Sequence, residues 1–187
     1  TAVAVGLNAA WSNQGSAAIA IGEAAGNISQ GTFAVSVGAR AGQFNQSASA
    51  VAMGYQAGGL SQGSNAVAIG LYAGERSQKV EGVAVGYFAG YSNQGNYSTA
   101  LGVASGRYNQ ANHSVAVGSG AGETNQGIQS VAIGNATGYV NQGAYCVAIG
   151  NTAGYREQKT FGVAVGVDCG YSNQGCFSVA VGYQAGF

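Results

Sequence analysis

Glycine returns every sixteen residues along the whole chain, at Gly6, Gly22, Gly38, Gly54, Gly70, Gly86, Gly102, Gly118, Gly134, Gly150, Gly166 and Gly182. So strict a period restricts the chain to a quasi-one-dimensional array, in which each unit rests on its neighbours and none buries its apolar face alone. A representative unit reads Val83-Ala84-Val85-Gly86-Tyr87-Phe88-Ala89-Gly90-Tyr91-Ser92-Asn93-Gln94-Gly95. Residues two apart share one face of a strand, and β-branched residues suit a pleated, half-buried surface. The columns three before and one before the glycine, with Val67 and Ile69, Val83 and Val85, Val131 and Ile133, Val147 and Ile149, are therefore expected to form the core. Between them stands Ala in every repeat but the one with Ser36. On this reading Ala68, Ala84, Ala100, Ala116, Ala132 and Ala148 make an outward strip, a contact for other subunits.

A second glycine follows the first by four residues, as in Gly70 and Gly74, Gly86 and Gly90, Gly134 and Gly138. Paired glycines at fixed spacing mark a corner repeated in every coil, because glycine opens positive φ and lets neighbouring backbone approach. Gln then occupies one position from Gln14 to Gln174, including Gln62, Gln78, Gln94, Gln110, Gln126 and Gln142, usually before a glycine that marks a second corner. In-register Gln side chains one strand apart hydrogen-bond along a stack, so a self-satisfying ladder is favoured over a ligand array. Two corners in sixteen residues leave two short strands per coil. The expected architecture is an all-β parallel solenoid or β-roll of twelve coils, roughly 55–60 Å long.

Composition narrows the function. Only 12 of 187 residues are charged, from 6 Lys and Arg and 6 Asp and Glu, and the net charge is zero. That balance offers no electrostatic footprint for nucleic acid. Proline, which would remove a ladder donor, is absent. No apolar run nears eighteen residues, so no membrane insertion is expected of this segment, which reads as a window on a longer protein. His113 is the sole histidine, and the acids Glu23, Glu75, Glu81, Glu123, Glu157 and Asp168 are scattered. No acid-base pair, metal cluster or cofactor motif can be assembled from them, and the chain is not read as an enzyme. Cys146, Cys169 and Cys176 fall in three different columns and read as small thiols rather than a metal ladder. Asn-x-Ser/Thr triplets at Asn27, Asn45, Asn96, Asn112 and Asn135 would matter only in a glycosylating secretory pathway.

Just past the second glycine, Trp11, Tyr91, Tyr139, Tyr155 and Tyr171 suggest a stripe for surface contact, or a cover for the corner. Charge concentrates at Glu75-Arg76-Ser77-Gln78-Lys79 and again eighty residues on at Tyr155-Arg156-Glu157-Gln158-Lys159, which marks a duplicated five-coil block and reads as a solvated loop. Two aliphatic side chains per coil contribute roughly 4–6 kcal/mol, against about 24 kcal/mol of ordering entropy. A single chain therefore looks under-provided, and covering its exposed strip with identical copies is the simplest remedy.

The cores Val67-Ala68-Ile69-Gly70, Val131-Ala132-Ile133-Gly134 and Val147-Ala148-Ile149-Gly150, introduced by Asn65-Ala66 or Ser130, resemble the head repeats of YadA-like trimeric autotransporter adhesins. The resemblance spans all the coils. It implies a left-handed parallel β-roll, a homotrimer, and attachment to a host-surface or matrix receptor, outside the cell or at its surface. Those heads commonly use a shorter repeat. Similar sixteen-residue arrays occur in phage tail fibres and proteins of large DNA viruses, which implies a virion surface as the alternative setting. A monomeric ice- or surface-binding solenoid is the minor alternative, disfavoured because no column is rich in Thr.

Overall fold

The computed structural model covers residues 1–187 and is an all-β parallel solenoid. One sheet holds twelve three-residue strands, from Val3–Val5 to Val179–Val181, each paired with the strand sixteen residues further on. The register is strict: Val67 lies beside Val83, Ala68 beside Ala84 and Ile69 beside Val85. Twelve strands joined end to end make eleven complete windings, one fewer than the glycine count suggests.

The second strand of each coil is regular only in the first five, at Ser12–Gln14, Ile28–Gln30, Phe44–Gln46, Leu60–Gln62 and Arg76–Gln78. From Ser92 to Ser172 it shrinks to single parallel bridges. Such short strands suffice because coil-to-coil hydrogen bonding continues through the corners, and 93 of the 119 backbone hydrogen bonds lie outside the strands. Each coil turns on left-handed residues: in one coil Tyr72, Ser77 and Glu81 all have φ between 55° and 59°.

The packing corrects the expected facing of the sheet. The alanines lie inside. Ala68, Ala84, Ala100, Ala116, Ala132 and Ala148 are fully buried, so they are no subunit contact. Val67, Val83, Val85, Val131 and Val147 are only half-buried, while Ile69, Ile133 and Ile149 are exposed. Geometry explains the inversion. A coil interior holds four inward positions, as in Ala52, Ala57, Gln62 and Ala66; the position on the twelve-stranded sheet admits nothing larger than Ser36, whereas the Ala57 column also takes Thr137 and Cys169. At Gly74 (φ 54°) an added Cβ would lie 2.8 Å from Gln78 Oε1 and 3.2 Å from the Ala68 methyl. At Gly70 (φ 125°) it would lie 2.6 Å from the Gly86 carbonyl oxygen one coil on. The first glycine column is thus sterically required, while in the second, where Ala10 also stands at φ 47°, glycine is conformationally favoured and leaves room for the glutamine head.

The corner after the glutamine follows a related rule. A Cβ on Gly63 would stand 2.5 Å from the Lys79 carbonyl carbon in the next coil. Side chains occur in this column only at Ser47, Lys79, Ala111 and Lys159, and never in two successive coils.

Candidate interaction surfaces

The glutamine column forms the axis of the rod. Gln30 through Gln158 are 0–2% exposed, which removes them from any surface role. Each inner glutamine donates Nε2 to the carbonyl of a strand residue eleven positions back, as Gln78 does to Val67 O at 2.8 Å. Eight of the ten steps are closed by Nε2 to Oε1 bonds of 3.0–3.3 Å; the links from Gln94 to Gln110 and from Gln126 to Gln142 are open. Gln110 Oε1 and Gln142 Oε1 are accordingly buried without a partner. In the coil with Ser36, its hydroxyl joins the ladder by donating to Gln46 Oε1 at 2.7 Å.

The outer side of the twelve-stranded sheet is apolar. Ile21, Met53, Ile69, Leu101, Ile133 and Ile149 are 37–45% exposed, and beside them run Tyr55, Leu71, Tyr87, Val103 and Val167 at 40–50%, a row interrupted by Glu23, Ser119, Asn135 and Asn151. No charged residue interrupts the strand columns, whose members are Val, Ile, Leu, Met or Thr99.

The aromatic residues expected to form one stripe fall into three environments. Tyr139, Tyr155, Tyr171 and Phe187 stack face to face with centroids 5.0, 5.0 and 5.3 Å apart, which covers both faces of Tyr155 and Tyr171, while Phe187 at the end of the stack is 74% exposed. Tyr91 instead sits edge-on among Tyr72, Phe88 and Tyr108. Trp11 is 73% exposed. A second ladder, Tyr145, Phe161 and Phe177, runs along the opposite corner at 5.0 and 4.9 Å, and Tyr97 stacks on His113 at 5.0 Å.

One of the three ion pairs links successive coils. Arg107 lies 4.8 Å from both the Phe88 and the Tyr108 ring and contacts Glu123 at 3.4 Å. Glu75, expected in a solvated loop, is buried with Arg76 Nε 3.8 Å from its carboxylate. Gly59, one coil below, leaves room for its stem. Burial first, and then the Glu75 carboxylate, raise the Tyr91 phenol above its ordinary value. The Glu123 carboxylate, then burial, do the same to Tyr139. All three cysteines are free thiols; burial pushes Cys146 and Cys169 up, whereas Cys176 is exposed. No group of three or more His, Cys, Asp or Glu is placed to hold a metal ion, and no helix is long and apolar enough to cross a membrane.

These features define a β-solenoid repeat protein with an amide axis and an apolar outer sheet. No protein-family model, curated protein or solved structure matches the chain.

Proposed function

We propose that this chain is a structural segment of a homo-oligomeric fibre, a homotrimer in the arrangement its repeats resemble, displayed outside a cell or on a virion and used for attachment to a host surface or matrix. The observation that carries the reading is the unbroken apolar side of the twelve-stranded sheet. At one strand spacing per coil the strip of strand columns runs roughly 53 Å along the rod. Contiguous exposed apolar surface of such length usually marks a contact with another molecule. Because every coil presents the same strip, copies related by a rotational axis meet it along the whole rod. Covering it also supplies the apolar burial that a core of alanine and glutamine lacks. The proposal gives the chain no catalytic, metal-binding or nucleic-acid-binding role.

Sedimentation equilibrium at micromolar concentration tests the assembly. The chain is expected to run at three times its monomer mass, and Ile69→Lys with Leu101→Lys and Ile133→Lys to convert it to a monomer that keeps its β-sheet circular dichroism. A wild-type chain that remains a stable monomer overturns the reading.

A further inference from the structure

Two polar recesses lie side by side at the corner that follows the second strand, away from the apolar sheet, and Lys79 lines both. The larger, about 390 Å³, is bordered by Lys79, Asn93, Asn96, Asn109 and Asn112, with Ala111 its one apolar contributor. The amides are held by the fold. Asn96 Oδ1 accepts the Val80 N–H at 3.2 Å, and Asn112 Oδ1 accepts the Asn96 N–H at 2.9 Å. A backbone N–H can only donate, so each carboxamide oxygen is committed to the coil below and each Nδ2 group remains free to donate elsewhere. The neighbouring column is self-paired, with Asn93 Nδ2 donating to Asn109 Oδ1 at 3.1 Å and Asn109 Nδ2 to Asn125 Oδ1 at 3.0 Å.

Lys79 differs from its counterpart in the duplicated block. Lys159 pairs with Glu157 at 3.3 Å, but Ser77 stands in the place of that acid and Lys79 has no carboxylate within ion-pair distance. The duplicate also carries Cys176 where the first block has Asn96. The recess thus combines an unpaired ammonium with two oriented amide donors one coil, about 4.8 Å, apart. That separation is comparable to the distance between alternate equatorial hydroxyls of a pyranose.

We propose that this recess binds a carboxylated saccharide, with Lys79 Nζ taking the carboxylate and the Nδ2 groups of Asn96 and Asn112 taking ring or hydroxyl oxygens. The proposal rests on the attachment reading, whose ligand class it names. The test is an amide-resolved NMR titration of the full chain with trigalacturonate and with its neutral methyl ester. The side-chain NH₂ signals of Asn96 and Asn112 are expected to shift with the acid in the millimolar range. The ester and the Lys79→Gly variant should bind about tenfold more weakly or worse, as loss of one charge-assisted contact requires, while Lys159→Gly binds as wild type. Absence of shifts, equal binding of acid and ester, or unchanged binding in Lys79→Gly overturns the proposal. Lys79→Gly leaves the apolar sheet intact, so sedimentation of the same samples separates failure of this site from failure of the assembly.

Discussion

The two sides of the twelve-stranded sheet obey different rules. Inside, across every coil, the column never exceeds Ser36 in size; outside, one step along the same strands, residues range from Thr99 to Met53. The inner side is confined by backbone and by glutamine heads, whereas outer residues such as Val83 are half-buried and Ile69 is exposed. In a winding this narrow, available volume decides which residue faces inward, and hydrophobicity decides only what happens at the outer wall. The rod is therefore held by hydrogen bonds and close packing of methyls, and it carries 34 non-glycine residues at positive φ. Each such residue costs on the order of 1 kcal/mol. Asn, which tolerates this conformation, fills the place just before the glutamine in seven coils, from Asn13 to Asn173, while Phe161 and Tyr145 pass through it at the following corner and regain packing by stacking at 5.0 Å.

The sharpest way to break this contrast is to remove one rung of the axis. Gln78→Leu would leave Gln94 Oε1 without its donor and remove the bonds to the Val67 and Gly82 carbonyls and from Gln62 Nε2, although Gly82 O keeps the Val67 N–H and Gln62 Nε2 keeps the Val51 and Ala66 carbonyls. At about 1–3 kcal/mol for the orphaned oxygen and about 0.5–1.5 kcal/mol for each of the other three bonds, a loss of about 4 kcal/mol is expected in urea unfolding. Next is Ala84→Val, which overfills the interior and should cost about 1–3 kcal/mol. On the outer side Val85→Thr, made in the strip-blocked monomer background, should change stability by no more than about 0.5 kcal/mol. A large loss there with a tolerated Ala84→Val would reverse the inside and outside assigned to the sheet.

The smallest effect is alkaline. Tyr91 and Tyr139 have raised values in the folded chain, so their stabilisation is complete below the ordinary 10.0 and is lost as pH climbs through the raised values. Tyr91→Phe with Tyr139→Phe should flatten the fall in melting temperature above that pH, and an unchanged fall would remove both phenols from the account. Thiol labelling adds a local check: at neutral pH a maleimide should modify Cys176 and spare Cys146 and Cys169 until the chain unfolds.

Much of this architecture was legible in the residues. The period of the glycines implied the parallel register, and the unbroken Gln column implied the ladder. What strand alternation cannot settle is which side faces in, since it places Val67 and Ile69 together without saying where. The signal lay in size: a column that admits nothing larger than serine is confined, and one that admits valine, leucine and methionine is not. The surface chemistry was harder to read, because it depends on partners sixteen residues away. Glu75 is buried because Gly59 lies beneath it, and Asn96 and Asn112 are oriented by backbone of the preceding coil. The role of Arg107, lodged between Phe88 and Tyr108, has the same origin.

Solvent paramagnetic relaxation of the methyl groups by a soluble gadolinium chelate tests the arrangement most directly. Alanine methyls of the sheet should be protected at every concentration. Those of Ile69, Leu101, Ile133 and Ile149 should be protected in the wild-type assembly, and the ones that remain should relax strongly in the lysine-substituted monomer. Strongly relaxed Ala68, Ala84 or Ala132 methyls, or outer aliphatics that stay open to the chelate in the wild type at high concentration, would contradict it.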